Sequence, residues 1–168
     1  MIRHIASPAP VETPIGARVL RAMADEFERA WPAEGCGLIF ACSSGELRWL
    51  AIPNIADAGD AQPSVARTQR ETYEMDPRAL LPALRAAERE GGRLIAIAHS
   101  HVDGEAYFSA ADRAMALADG DLPLWPGVDY LVVSCRAGKV EAARVYRWNS
   151  GMGDFAECDP MDLSSCND

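Results

Sequence analysis

The stretch GGRLIAIAHSH, residues 91–101, decides how the chain is organised. Its apolar run follows a glycine pair, a pattern that predicts a strand buried within a sheet. If the strand continues to its last histidine, then His99 and His101 are two residues apart and point to the same face. Two imidazoles on one face of a strand end can bind a single ion, and imidazole suits zinc. Two of the chain's three histidines lie here.

A second motif, SAAD at residues 109–112, opens a helix-like segment over 110–118. Asp112 would lie in the first helical turn, within reach of the strand end. Two histidines and one aspartate leave the fourth tetrahedral position to water, as in catalytic zinc sites. Taken alone, Ser109 and Asp112 fit a helix capping box better, and the HSH triplet also fits a solvated strand end. Capping and metal binding can coexist, because a helix start at the strand end would hold Asp112 in place.

A glutamate lies upstream in PAEGCGLIF, residues 32–40, between an amphipathic segment and an apolar strand. Hydrolysis at a metal centre needs a base that takes a proton from water and returns it to the leaving group. Glu34 is the candidate, and the alternative is an exposed carboxylate in a turn. Gly35 and Gly37 serve either the turn or a close approach of the backbone. Cys36 is expected to be a small buried apolar residue rather than a reactive thiol.

Together, Glu34 and the spacing H-S-H-x7-S-x2-D resemble the JAMM (MPN+) metalloprotease family over most of the chain. The resemblance implies one zinc ion per chain, with the ligands His99, His101 and Asp112. It further implies that Glu34 is the general acid/base and that Ser109 stabilises the oxyanion of the tetrahedral intermediate.

The resemblance also implies the fold, an α/β domain of the MPN, cytidine-deaminase-like type in which helices flank one mixed β-sheet. Ser100, between the two histidines, would face the opposite side of the strand and serve the structure. Val102 and Phe108 stand where many members of the family have proline. These two departures concern the shape of the loop and the specificity rather than the chemistry.

For function, the resemblance implies a zinc-dependent peptidase or isopeptidase that cuts after the C-terminal Gly-Gly of a ubiquitin-like or sulfur-carrier protein. The partner would be a β-grasp protein, and the substrate would bind in an extended conformation beside a sheet edge. The alternative is a non-catalytic MPN scaffold that binds a partner protein. Metal-dependent deamination is a weaker third hypothesis, because the cysteine ligand pair of that reaction is absent from the motif. The oligomeric state stays open.

Length, charge, apolar runs and cysteine content argue for or against several broad classes of protein. A length of 168 residues suits one domain with a sizeable core. The net charge of −9 argues against nucleic acids and anionic membranes as partners. There is no run of eighteen apolar residues, so we expect no transmembrane helix. Five cysteines without a CxxC pair, after a start unlike a signal peptide, favour a reduced, cytoplasmic protein.

Patterning divides the chain into an N-terminal arm (1–14), one domain (15–148) and an acidic tail (149–168) that we expect to be mobile. Residues 54–70 are either a disordered loop or, as the resemblance implies, part of the substrate groove. Helices are expected at 15–31, 76–90 and 110–118, with a rigid connector at 121–127. Strands are expected at 36–42, 47–52, 71–75, 92–101, 128–134 and 139–148.

Overall fold

The computed structural model describes residues 15–56 and 70–158, so the predicted arm at 1–14 and most of the loop at 54–70 lie outside the described residues. Three helices and eight strands form within these ranges. The helices are α1 (Ala17–Ala30), α2 (Pro77–Arg89) and α3 (Ala110–Ala116). The strands are β1 (Cys36–Ala41), β2 (Leu47–Ile52), β3 (Arg93–Val102), β4 (Leu117–Ala118), β5 (Leu122–Pro123), β6 (Asp129–Arg136), β7 (Lys139–Asn149) and β8 (Asp154–Glu157).

Six strands form one mixed sheet in the order β2-β1-β3-β6-β7-β8, and β4 pairs only with β5. The central pair, β3 and β6, is parallel, while the other neighbours in this sheet are antiparallel. The predicted mixed α/β architecture is confirmed. None of the helices in the described ranges is long and apolar enough to cross a membrane.

The sheet lies between two layers of helix. On one face, Met23 and Phe27 of α1 are fully buried in a cluster with apolar side chains of β1, β3 and β6. On the other face, a second cluster packs beneath α2 and α3 and contains Leu38, Phe40 and Val132. Alternation along β1 makes this possible, because Ile39 belongs to the first cluster and its two neighbours to the second.

The same alternation orients the end of β3. Ile97 lies in the cluster beneath α2 and α3, and Ala98 lies in the cluster beneath α1. His99 and His101 continue the face of Ile97, whereas Ser100 continues the face of Ala98. All three side chains are buried. The prediction that the two histidines share a face is confirmed by their contact, described below.

Helix α2 begins and ends as its sequence predicts. The Asp76 side chain accepts a hydrogen bond from the Arg78 amide, and Pro77 occupies the first turn. Beyond its end, Gly91 has φ +70°, which a side chain disfavours. Helix α1 is shorter than the predicted 15–31, since it starts at Ala17 and ends at Ala30.

Three further expectations about elements differ from the structure. The predicted helix over 110–118 ends at Ala116, where the next two residues pair as β4 and place β5 within the expected connector. The predicted strand at 71–75 is reduced to one bridge between Met75 and Asn54. The tail expected to be mobile over 149–168 includes Asp154–Glu157, which pairs with β7 as the sixth strand of the sheet, whereas 159–168 lies outside the described residues. Its one large apolar residue, Phe155, gave no alternating pattern, but it packs against the rings of Tyr130 and Trp148.

Candidate metal centre and active site

Three predicted ligands meet where β3 ends and α3 begins. The Nε2 atoms of His99 and His101 are 3.3 Å apart. Asp112 Oδ1 lies 3.2 Å from His99 Nε2, and Asp112 Oδ2 lies 3.3 Å from His101 Nε2. Nitrogen and oxygen ligands that bind zinc tetrahedrally at about 2.0–2.1 Å lie about 3.3–3.4 Å from one another. The two histidine nitrogens lie at this spacing from each other, and each lies at it from a different oxygen of Asp112, so the three side chains could together hold one metal ion.

The hydrogen bonds of His101 indicate that a positive charge is needed between its ring and Asp112. The Nδ1 atom of His101 lies 2.9 Å from the carbonyl oxygen of Glu105. Because a carbonyl only accepts, Nδ1 donates, and Nε2 of the neutral ring offers a lone pair. That lone pair faces an oxygen of Asp112, which is repulsive unless a proton or a metal ion lies between them. The donor set therefore fits a metal ion.

The two histidines differ in their surroundings. His99 is fully buried, stacks on the Tyr73 ring with centroids 4.5 Å apart, and has no hydrogen-bond partner for Nδ1 among the described residues. Burial outweighs the Asp112 carboxylate and lowers the pKa of His99. Burial also opposes charge on His101, but contacts with Asp112 and Glu105 and the charge of Glu34 outweigh it and raise the pKa of His101. His99 is thus held neutral, the form that binds a metal.

Asp112 takes part in a helix cap as well as in the cluster. Its Oδ2 accepts from the Ser109 amide at 2.8 Å, and its own amide donates to Ser109 Oγ at 3.1 Å, so the predicted capping box is formed. Burial alone would raise the pKa of Asp112, but its contacts with the His101 and His99 rings and with Ser109 lower it, so the carboxylate stays ionised. The cap holds the carboxylate at the end of β3, and metal binding by the same carboxylate stays a prediction.

Glu34 is buried and lies in the turn that leads into β1. The residue after it is held by Ser100 of β3: the Gly35 amide donates to Ser100 Oγ at 2.9 Å, and the Ser100 amide donates to the Gly35 carbonyl at 2.9 Å. On the other side, Nδ2 of Asn54 donates to the Glu34 carbonyl at 2.9 Å. The predicted structural role of Ser100 is therefore specific, since this side chain holds the backbone beside Glu34.

Both glycines beside Glu34 serve a close approach of the backbone. A Cβ atom on Gly35 would lie 2.4 Å from the ring of Phe27 in α1. A Cβ atom on Gly37 would lie 2.4 Å from the Leu50 carbonyl and from the ring of Trp49. These positions leave no room for a side chain, so the glycines let β1 pack between α1 and β2.

A cavity of about 590 Å³ opens in front of the cluster. Its wall brings together the predicted residues Glu34, His101, Ser109 and Asp112; the other lining residues are Arg70, Glu71, Val102, Gly104, Tyr107, Ala110 and Ala111. At the cavity, Tyr107 is half exposed and contacts the His101 ring edge-on with centroids 5.1 Å apart. Arg70 forms an ion pair with Asp103 at 2.6 Å. The cavity therefore combines acidic, basic and aromatic groups around the candidate metal ligands.

The loop between β3 and α3 is pinned by side chains from three strands. Ser134 donates to the Gly104 carbonyl at 2.6 Å, His101 to the Glu105 carbonyl, and Tyr146 to the Ala106 carbonyl at 3.2 Å. Phe108 stands where many members of the JAMM family have proline. Its ring packs on the rings of Tyr130, Tyr146 and Phe155. These contacts give the loop one shape despite the two missing prolines.

The thiol nearest to Glu34 is unreactive by its surroundings. Cys36 is 2% exposed, and its Sγ lies 3.3 Å from the Ile52 carbonyl. Burial, assisted by the charge of Glu34, raises the pKa of Cys36 to about 12. Thiolate chemistry therefore needs a far higher pH than catalysis by a protein thiol uses, as expected for a buried apolar residue.

Sequence reasoning missed several residues that build the site. Asn54, Tyr73 and Tyr107 each contact a predicted site residue, but none of them belongs to the HSH or SAAD motif. Asn54 and Tyr73 flank the loop expected at 54–70, and the order of the chain does not indicate that they return to Glu34 and His99. Of these three residues, only Tyr107 has a sequence signal, because it is an aromatic residue two positions before Ser109.

Comparison with known proteins agrees with this geometry. The chain is 34% identical over 105 residues to a desampylase from Haloferax volcanii, covering 61% of this chain and 63% of that protein. It is 50% identical over 50 residues to a probable TtuB-protein conjugate cleaving protease from Thermus thermophilus, covering 30% of this chain and 34% of that protein. The chain thus spans less than two thirds of the length of either relative.

Solved structures share the fold. A protein from Salinibacter ruber superposes with a TM-score of 0.55 at 25% identity, covering 88% of this chain and 87% of that one. A protein from Desulfitobacterium hafniense does so with a TM-score of 0.57 at 22% identity, covering 84% of this chain and 86% of that one. The sequence profile of the family described as prokaryotic homologs of the JAB domain matches residues 16–149. Since this match spans the whole sheet except β8 and includes every residue of the candidate site, the chain belongs to the prokaryotic JAB family.

Proposed function

We propose that this chain is a zinc-dependent peptidase or isopeptidase that hydrolyses the bond after the C-terminal Gly-Gly of a ubiquitin-like or sulfur-carrier protein. The observation that carries the proposal is the contact of His99, His101 and Asp112 beside a cavity whose wall includes Glu34 as well as the last two of these ligands. The names of the two relatives, a desampylase and a conjugate-cleaving protease, support a substrate that is a protein conjugate.

The proposed metal chemistry rests on the ligands of this chain. His99, His101 and Asp112 would hold zinc, with the Glu105 carbonyl orienting the His101 ring and Ser109 orienting the Asp112 carboxylate. When bound, zinc supplies a Lewis acid that polarises the scissile carbonyl and lowers the pKa of water.

The remaining steps belong to two other side chains of the cavity. Glu34 takes a proton from the attacking water as the C–O bond forms, and it gives that proton to the leaving amine as the C–N bond breaks. Ser109 accepts the bond from the Asp112 amide through its oxygen, so its own hydrogen is left to donate to the oxyanion. The products are a carboxylic acid on the glycine side and a free amine on the other side.

The test is mass spectrometry of a β-grasp sulfur carrier extended beyond Gly-Gly by a few residues, after incubation with zinc-loaded protein. We expect cleavage after the second glycine. Replacing Glu34 by Gln keeps the shape but removes the base, and general acid–base catalysis contributes about 10²–10⁴-fold to the rate. We therefore expect Glu34→Gln to lower kcat at least about 100-fold and to leave zinc bound.

A matched control is Glu46→Gln, which makes the same chemical change at an exposed position in the turn between β1 and β2. This variant should cleave like the parent protein. An active Glu34→Gln variant would overturn the role of Glu34. No cleavage of either a linear or an isopeptide-linked substrate by the zinc-loaded parent would favour the non-catalytic scaffold instead.

A further inference from the structure

One side chain outside the predicted motif joins three segments of the site. Nδ2 of Asn54 donates to the Glu34 carbonyl at 2.9 Å and to the Thr72 carbonyl at 3.1 Å. Its Oδ1 accepts from the Ala56 amide at 3.1 Å and from the Glu74 amide at 3.0 Å. A side-chain amide has two N–H donors and two acceptor lone pairs, and these four bonds match all of them.

The first of these bonds fixes the peptide unit that follows Glu34. Asn54 holds its carbonyl oxygen, and Ser100 Oγ holds its N–H group, which belongs to Gly35. Because a peptide unit is planar, holding both ends fixes the plane and the position of the Glu34 Cα atom, and so restricts the direction in which the Glu34 side chain leaves the backbone. That direction carries the carboxylate into the wall of the cavity.

The other bonds fix the segment that carries Tyr73. Thr72 and Glu74, the residues on either side of this tyrosine, are both held by the Asn54 side chain. Tyr73 is buried and stacks on the ring of His99. One amide therefore sets the backbone of the candidate base and the aromatic ring that backs a candidate metal ligand.

The two segments around Asn54 and Glu74 are also paired by backbone hydrogen bonds that do not involve the Asn54 side chain. The Ile55 amide donates to the Glu74 carbonyl at 2.8 Å, and the Asp76 amide donates to the Pro53 carbonyl at 2.9 Å. This pairing would keep the segments together in a variant of Asn54, so the role of the amide in positioning is separable from its contribution to folding.

We propose that Asn54 is a positioning residue for the reaction, which holds Glu34 at the cavity and Tyr73 against His99. The inference rests on the proposed function, because it assumes that Glu34 acts on a substrate at this site. Asn54 touches neither the metal ligands nor the substrate in this scheme; it acts through the backbone of Glu34 and the ring of Tyr73.

The test variant is Asn54→Asp, which keeps the shape and the acceptor oxygen but replaces both N–H donors by an oxygen that faces two carbonyls. A misplacement of about 1 Å can cost about 100-fold in rate, so we expect kcat per folded molecule to fall at least about tenfold. Zinc should stay at one per chain, and KM should change less than kcat. A purely structural role would lower the folded fraction and leave kcat per folded molecule unchanged, which would overturn the proposal.

The matched control is Asn149→Asp, because Asn149 also accepts from backbone amides, those of Gly151 and Met152, at the turn before β8. This variant should retain the kcat of the parent. If Asn54→Asp does not fold, Asn54→Gln replaces it, since this variant keeps the amide but displaces it by one methylene group. For Asn54→Gln we likewise expect kcat per folded molecule to fall, zinc to stay at one per chain, and KM to change less than kcat.

Hydrogen exchange separates failure of this inference from failure of the proposed function. The Glu74 amide lies outside the strands, so its slow exchange in the parent protein would report the bond to Asn54. Faster exchange in Asn54→Ala, which removes the oxygen that accepts from the Glu74 and Ala56 amides, confined to these two amides, would support the positioning role even if no substrate were cleaved. Rapid exchange of Glu74 in the parent would overturn it, whatever the activity.

Discussion

Two regions of the sheet use buried side chains in opposite ways. At the end formed by β1, β3 and β6, together with the first turn of α3, lie all six of the buried polar or charged residues in the described part of the chain: Glu34, His99, Ser100, His101, Asp112 and Ser134. At the edge formed by β7 and β8, the contacts are aromatic rings and exposed ion pairs such as Arg144–Glu157. Burying polar groups costs free energy unless each is bonded, so we expect the first region to serve chemistry and the second to serve stability.

The difference gives an expectation for each region. Substitutions in the polar end should change metal binding or turnover beyond their effect on folding. Substitutions in the aromatic edge should change the free energy of unfolding and leave metal content and kcat per folded molecule intact. The following predictions test this separation.

The largest effect is expected for Asp112→Ala. Removing an outer partner of a metal ligand costs about 10–100-fold in metal affinity, so removing the ligand itself should cost at least about 100-fold. Zinc content after dialysis, measured by atomic emission, should fall from one per chain to near zero. Ser109→Ala is the control, because it breaks the other half of the capping box at a cost of about 1 kcal/mol but keeps the carboxylate. A fully zinc-loaded Asp112→Ala variant would contradict the ligand assignment.

An intermediate effect is expected for Gly35→Ala, which tests whether packing beneath the polar end reaches the chemistry. The new Cβ would lie 2.4 Å from the fully buried ring of Phe27. Overpacking of this kind costs about 1–3 kcal/mol, measured as the free energy of unfolding in urea. Because Gly35 follows Glu34, kcat per folded molecule should fall as well.

Gly16→Ala is the control for this substitution, since a Cβ there meets nothing within 4 Å. Because Gly16 is the N-cap of α1, where alanine is disfavoured, the free energy of unfolding should fall by up to about 1 kcal/mol, but kcat should stay unchanged. A stable and fully active Gly35→Ala variant would show that α1 yields to the methyl group, and that Glu34 does not depend on this contact.

The polar end was predictable where its residues are close in sequence. His99, His101, Ser109 and Asp112 fall within one strand and the next helix, so the periodicity of a strand and the geometry of a cap place them together. Glu34 was a candidate because hydrolysis at a metal centre needs a base, and the resemblance to a metalloprotease family gave it that role. Its supports were not predicted, because hydrogen bonds from Asn54 and Ser100 form between residues 20 and 65 positions apart.

The aromatic edge was predictable only in part. The strands β6 and β7 follow from their apolar and β-branched residues, but β8 contains four residues with one aromatic ring. Its position depends on an unpaired edge of β7 and on rings that lie more than twenty residues upstream, Phe108 and Tyr130. A strand that is stabilised mainly by such contacts has no periodic signal of its own.

The smallest effect is expected for Phe155→Leu, which tests the edge itself. The variant keeps an apolar side chain in β8 but loses ring contacts to Phe108, Tyr130 and Trp148, each at 5.1–5.3 Å between centroids. Each aromatic pair contributes about 0.5–1.5 kcal/mol beyond the area that it buries. Because Phe155 is only partly buried, we expect each loss at the low end, so the free energy of unfolding should fall by about 1.5 kcal/mol. Met152→Leu, at a position 67% exposed in the turn before β8, is the control and should be neutral.

This substitution is also the strictest test of the separation, because Phe108 directly precedes Ser109. Phe108 keeps its contacts with Tyr130 and Tyr146 in the variant, and the loop before it keeps the hydrogen bonds from Ser134, His101 and Tyr146. The position of Ser109 should therefore survive, with zinc content and kcat per folded molecule unchanged. A loss of either at full folding would mean that β8 controls the site through Phe108, and that the two regions act as one.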